Sequence, residues 1–285
     1  MAEVKKTIFD VGMHKGEDTE FYLKKGYQVV AFEANPELVK LCATKFADEI
    51  KDGKLTIVEG AIIDFDFDTD SSNPNIQFYR NKNLSVWGTV DGNWAKRNEK
   101  KGTENEIVEV AKIDFKKCLE KYGIPYYLKI DIEGMDRVCL KALLNFDKKP
   151  DYVSIESEKV SFTELKEEFD LFKNNGYSQF QIVNQGNISE QKEPENSEEG
   201  ICLNYQFSSG ATGLFGKDLP NKWINYSNAI QKYQLIFFGY KLFGDNGFIT
   251  NGYIRKILFK IIHLFTKQSI PGWFDTHAKH SSLIK

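Results

Sequence analysis

A turn carrying two glycines between an apolar strand and a helix constrains this chain most. Residues 7–36 read TIFDVGMHKGEDTEFYLKKGYQVVAFEANP. The β-rich run 7–11 ends in a tight turn holding Gly12 and Gly16. A helical segment follows over about 17–25, and a second apolar run, 29–32, stops at Glu33. Strand, glycine turn, helix, strand and acid, in that order, make a nucleoside-binding βαβ unit, in which the acid accepts the two hydroxyls of a ribose.

The turn itself selects among nucleosides. A dinucleotide site needs G-x-G-x-x-G, so that backbone amides can meet a pyrophosphate. Here the stretch is D-V-G-M-H-K-G, with His14 in place of the second glycine. Asp10 at the strand end would also repel a phosphate. A ligand with a cationic amine and a ribose but no phosphate suits the turn, and S-adenosylmethionine is such a ligand. The bland reading is an α/β turn that binds nothing. The agreement of Asp10, Gly12, Gly16 and Glu33 argues against it.

A second motif lies at 126–136, YYLKIDIEGMD, where a buried strand ends at Asp131 with Glu133 and Gly134 beyond it. Together, D-V-G-x-x-x-G, F-E-A-N-P and K-I-D-I-E-G resemble the FkbM-type family of S-adenosylmethionine-dependent methyltransferases over roughly residues 8–158, with His14 where that family more often has Asn. The resemblance implies a class I methyltransferase fold: an α/β, Rossmann-like, doubly wound and mostly parallel sheet with a terminal antiparallel strand. It also implies O-methyl transfer to a hydroxyl of a sugar, glycan or glycosylated natural product. Two other readings keep the layout but not this chemistry. Intact Asp10, Glu33 and Asp131 oppose an inactive binding module on the same fold. The missing third glycine opposes a dinucleotide-dependent enzyme.

Within that frame each candidate has a role. Gly12 and Gly16 allow close backbone approach, Asp10 meets the methionyl amine directly or through water, Glu33 takes the ribose, and Ala61 lies beside adenine. Lys129, Asp131 and Glu133 border the reaction centre. Asp131 or Glu133 is the candidate base, if burial raises its pKa, and His14 is the rival. Asp10, Glu33, Asp131 and Glu156 all sit at expected strand ends, where an α/β sheet binds its ligands. Ser85, Trp87, Glu156, Phe215 and His277 are candidates for the acceptor side, with Trp94 and Trp273 as further apolar platforms for a sugar ring.

The chain has 285 residues, is 41% hydrophobic and carries a net charge of −3, so it can bury a sizeable core and offers no electrostatic case for nucleic acid. Its four cysteines show no C-x-x-C spacing, which argues against a zinc ribbon or disulfide scaffold and fits a reducing compartment. No secretory leader and no apolar run of spanning length is evident, so the expected location is the cytoplasm.

Downstream, strands are expected at 55–58, 76–79, 107–110, 152–155 and 180–183, and helices at 114–121, 136–146 and 162–174. Alternating acids at 64–70 suggest a hairpin strand with a solvated face. The polar, acidic stretch 184–200 suggests a solvated loop or mobile linker, and 201–207 a final antiparallel strand. A methyltransferase domain is thus expected over 1–207 and an extension over 208–285. The glycine loop 208–216 lacks the Lys-Ser/Thr ending of a P-loop, so it reads with the aromatic end 271–280 as a lid over the acceptor. Helices are expected at 221–238 and 253–267. Lys256, Lys260, His263 and Lys267 form a basic stripe on the second, which fits either a membrane-surface helix or one docked on the domain or in a homodimer seam. The broad apolar arc favours docking. His277 and His280 have the spacing of metal ligands but no further ligand in sequence reach, so no metal is expected.

Overall fold

A computed structural model describes residues 6–68, 70, 72–83, 85–132, 134–208, 210–243 and 272–284. The first βαβ unit is β1 (Thr7–Val11), α1 (Glu17–Lys24) and β2 (Gln28–Glu33). Helices α2 (Pro36–Lys45) and α3 (Ala47–Lys51) lead to β3 (Leu55–Glu59). An insertion follows, built from β4 (Ala61–Ile62), β5 (Asn75–Asn81), α4 (Gly92–Lys100) and β6 (Asn105–Ile113). Alternation resumes with α5 (Phe115–Tyr122), β7 (Tyr127–Ile130), α6 (Asp136–Leu143), β8 (Tyr152–Glu156), α7 (Phe162–Asn174) and β9 (Tyr177–Asn184). The chain ends with β10 (Ile224–Asn225), α8 (Tyr226–Phe243) and β11 (Phe274–His280).

Local chemistry sets several helix starts. Asn35 accepts the Glu37 amide with Pro36 in the first turn of α2, Asp114 accepts the amides of Lys116 and Lys117, and Ser161 accepts that of Glu164. Helix α1 has no side-chain cap. It opens at Gly16 in the left-handed conformation, with Glu17, Asp18 and Glu20 against the positive end of the helix dipole.

The main sheet runs β10-β9-β11-β8-β7-β1-β2-β3, and a small sheet runs β4-β6-β5. Strands β3, β2, β1, β7 and β8 are mutually parallel, while β11 is antiparallel to both β8 and β9. Chain order reverses direction across the sheet at β1, whose neighbours are β2 and β7, so the binding crevice falls at that switch point. All four residues of β7 are buried, as expected for a parallel strand covered on both faces. Period-two alternation sorts the side chains. Phe9, Val11, Phe32, Leu128, Ile130, Val153 and Ile155 pack towards α5, α6, α7 and α8. Ile8, Val29, Ala31, Tyr127 and Tyr152 pack towards α1 and residues 205–219.

The doubly wound sheet agrees with the sequence, but several local expectations need correction. The antiparallel strand is β11, not 201–207. That segment forms no regular element, and its Leu203 and Tyr205 amides donate to Glu193 at 2.7 and 3.4 Å. A slot between two buried strands needs side chains that bury on both faces. Phe274 to Ala278 are all buried, whereas Ile201 is 59% exposed. Residues 64–68 form a 3-10 turn at Phe65–Phe67, with Asp64 capping it and Asp68 held by Lys112, rather than the hairpin strand expected over 64–70. The acidic stretch 184–200 is not simply solvated. Glu193 is buried against Lys25 at 2.7 Å, and Glu199 accepts from the hydroxyls of Tyr27 and Tyr126 at 2.8 and 2.7 Å. The helix expected at 253–267 lies outside the described residues. Among the described residues no helix is long and apolar enough to cross a membrane.

Candidate functional site

The glycine turn is fixed from both sides. Gly12 has φ 87°, and a Cβ there would fall 1.9 Å from the Asp131 carbonyl oxygen, so the β1 turn touches the end of β7. Gly16 has φ 78°, and its Cβ would sit 2.4 Å from the Phe46 ring. His14 also adopts the left-handed region, at φ 53°, which is uncommon for a residue with a side chain. Its amide donates to Glu33 Oε2 at 2.8 Å, and its ring meets Glu17 at 3.1 Å and Ser85 Oγ at 2.8 Å. The other Glu33 oxygen accepts the Asn35 amide at 2.8 Å. Burial pushes the Glu33 carboxyl up, and these amide bonds oppose that shift.

Beneath the turn lies a buried charge cluster. Asp10 and Lys129 are direct partners in the β1–β7 register and therefore point to the same face, towards α1. Lys129 Nζ donates to the Gly12 carbonyl at 2.7 Å and lies 3.2 Å from Asp10, 3.8 Å from Asp131 and 3.9 Å from Asp18. Burial works against its charge, but the carboxylates of Asp10, Asp131 and Asp18 outweigh it and hold the ammonium pKa above the usual lysine value. Asp10 also accepts the Thr19 hydroxyl at 2.6 Å, and the Asp18 carboxyl, raised by burial, accepts the Thr212 amide at 2.9 Å.

A cavity of about 280 Å³ opens above this cluster at the carboxyl ends of the parallel strands. Of the residues singled out from sequence, Gly12, His14, Glu33, Ala61, Ser85, Trp87, Asp131, Glu156 and Trp273 border it. Phe32, Leu38 and Ile62 join Glu33 and Ala61 in a largely apolar slot beside β2.

Other expectations do not survive. Asp10 and Lys129 do not border the cavity and have no solvent path, since Asp10 is 0% and Lys129 3% exposed. They brace the turn from below. Phe215 is not at the acceptor side: it is buried and stacks on Tyr127 at 4.7 Å between centroids, within the second core. His277 is not there either. It sits inside β11 opposite Ser154 and Gln181, where burial pushes its pKa down to about 3. The end 274–280 is therefore a sheet strand and not a lid. Residues 210–212 of the glycine loop do border the cavity, but Thr212 is anchored on Asp18. Gly16 lies behind the turn, Trp94 is not among the cavity residues, and Glu133 lies outside the described residues. Among the described residues no group of three or more His, Cys, Asp or Glu side chains is arranged for a metal ion.

Sequence reasoning missed Asp18, Lys159, Gln185 and Asp275. Asp275 borders the cavity and is the direct cross-strand partner of Glu156. Burial raises the pKa of Glu156, with Lys159 opposing and Asp131 adding to the rise; burial, Asp131 and Glu156 raise that of Asp275. No local pattern announces Asp275, because its neighbours come from strands far away in sequence.

A doubly wound sheet whose switch point carries an acid-ended βαβ unit and an open cavity is the α/β architecture of a class I methyltransferase. The chain belongs to the methyltransferase FkbM domain family, whose model matches residues 10–178, more than half its length. Among solved structures, it is similar to a methyltransferase FkbM from Methylobacillus flagellatus KT at 14% identity, covering 63% of this chain and 40% of that one with a TM-score of 0.35. It is also similar to a precorrin-6y C5,15-methyltransferase from Geobacter metallireducens GS-15 at 12% identity, covering 69% and 73% of the two chains with a TM-score of 0.33. No curated protein matches the sequence.

Proposed function

We propose that the protein is an S-adenosylmethionine-dependent O-methyltransferase acting on a hydroxyl of a sugar, glycan or glycosylated natural product. The observation that carries this reading is the single cavity joining the Gly12–Glu33 turn and its apolar slot to an acidic, tryptophan-bearing half. The residues present fit the donor. Each Glu33 oxygen takes one backbone amide and keeps lone pairs for a ribose, and Phe32, Leu38, Ala61 and Ile62 offer a slot for adenine. When bound, the donor supplies a methyl group on a good leaving group.

The chain must then exclude water, align the acceptor and take up its proton. Trp87 and Trp273 provide apolar faces for a sugar ring. Asp131 is the proton acceptor in this reading, because it is the cavity carboxylate whose side chain stays open, at 46% exposure. His14, tied to Glu17 and Ser85, orients the turn rather than the acceptor. The test is incubation with methyl-labelled S-adenosylmethionine and a panel of sugars and glycans, followed by mass spectrometry. Label in a carbohydrate hydroxyl supports the reading. Label in none of them, by a protein that binds S-adenosylhomocysteine, removes the carbohydrate assignment.

A further inference from the structure

We propose that Asp275, on the antiparallel strand inserted between β8 and β9, is the residue that distinguishes the cationic methyl donor from its neutral product. The inference rests on the donor assignment above and goes beyond it to a residue of β11.

Alternation places one row of acids on a single face of the sheet. Phe274, Thr276 and Ala278 point towards α7 and α8: Phe274 and Ala278 join that core, and Thr276 bonds Tyr233 and Ser157. Asp275 therefore points the other way, as do Glu156 on β8, Asp131 beyond β7 and Asp10 on β1. Asp275 and Glu156 are direct partners across two antiparallel strands, so their Cβ atoms are about 4.5–5.5 Å apart, where like charges repel. Folding gains nothing from that pair. Glu156 is relieved by Lys159 at 2.5 Å. Asp275 has no such relief. It is 6% exposed, borders the cavity, and among the described residues no hydrogen bond or ion pair reaches its carboxyl. Lys129, the cation on the neighbouring strand β7, is already ringed by Asp10, Asp18, Asp131 and the Gly12 carbonyl.

A buried carboxyl without a partner, aimed into a ligand cavity, costs stability unless a cation arrives with the ligand. Donor and product share the adenosine, the amine and the carboxylate; they differ in the sulfonium charge. A side chain that meets that charge favours the donor. One that meets the shared amine favours both equally. Discrimination against the product would free the site after transfer.

The groups facing Asp275 are Asp131 and Glu156 at the neighbouring strand ends, Lys129 on β7 and Asp18 on α1; burial raises its pKa most, the three acids add to the rise and Lys129 opposes it. Burial and the neighbouring acids both favour its neutral form, so a cationic ligand must draw it into the ionised form. The affinity ratio of donor to product should therefore rise with pH.

The experiment is isothermal titration of the full chain with S-adenosylmethionine and, separately, S-adenosylhomocysteine, for wild type and Asp275→Asn. Asn keeps the shape and cannot ionise. The expected result is a loss of about tenfold or more in donor affinity, the scale of one charge-assisted contact, with product affinity unchanged. Equal losses for both ligands would assign Asp275 to the amine and overturn the proposal, as would no loss for either. The wild type gives an independent reading from about pH 5 to pH 9. A donor-to-product ratio that rises with pH supports the proposal, and a flat ratio overturns it even if the variant does not fold. Failure of the wild type to bind either ligand would instead overturn the donor assignment.

Discussion

At the scale of single residues, the site separates groups that face the cavity from groups that hold those in place. Glu33 faces it, and its two amide bonds fix the carboxylate without using all its lone pairs. Glu33→Ala is expected to weaken S-adenosylhomocysteine binding by about 1.5–3 kcal/mol, read by calorimetry, since it removes hydrogen bonds to a charged group. Unchanged affinity would remove Glu33 from the ribose. Asp131→Asn is expected to lower methyl transfer by about 10²–10⁴-fold with donor affinity altered much less, because it keeps shape and removes basicity. If turnover stays near normal, the proton goes elsewhere, and His14→Ala decides whether it goes to the ring that now bonds Ser85.

At the scale of elements, the last strand matters most. Strand β11 pairs along both edges, with β8 over Asp275–Lys279 and with β9 over Phe274–His280, and its Phe274 and Ala278 join the core under α7 and α8. Truncation after Lys267 removes it. Its loss would leave the facing edges of β8 and β9 without partners and open a channel through the sheet. The expected outcome is loss of the cooperative thermal transition and aggregation, seen by calorimetry and light scattering. A truncated protein with a near-native melting temperature would contradict this.

The same strand marks how much was legible. The βαβ unit, Glu33, Asp131 and the α7 boundaries could be read from residues a few places apart, because turns, caps and periodicity are local. Strand β11 could not be, since FDTHAKH alternates too weakly to announce burial on two faces. Its burial is imposed by β8 and β9. The acids at 193 and 199 misled for a related reason: composition reads them as solvated, and only the fold brings Lys25, Tyr27 and Tyr126 to them.

Across the whole molecule, the two faces of the sheet are covered by different means. Helices α5, α6, α7 and α8 cover one, while α1 and the irregular chain through Phe207, Leu214 and Phe215 cover the other. That irregular cover depends on a buried ion cluster in which Lys25 meets Glu193 at 2.7 Å and Asp218 at 3.4 Å. The buried His277 sets an acid limit. Its folded pKa of about 3 lies below the ordinary value of 6.5, so the unfolded chain binds a proton that the folded chain refuses. Its contribution is fully present above pH 6.5 and is lost as pH falls towards 3. Between pH 6.5 and pH 5 the loss is about 2 kcal/mol. Chemical denaturation of wild type and His277→Gln at both pH values checks this. The variant should lose less stability on acidification by that amount, and equal losses would refute the assignment.

The position of β11 also has a consequence for synthesis. Its partners leave the ribosome well before it does: β9 ends at Asn184 and β11 begins at Phe274. At roughly 5–20 residues per second, the gap between β8 and β9 stays open for about 4–18 seconds while the intervening chain is made. The nascent protein passes through a stage in which the facing edges of β8 and β9 wait for the strand that joins them. Slowing translation across that interval would lengthen the wait, and a chaperone that shields strand edges would find its client there.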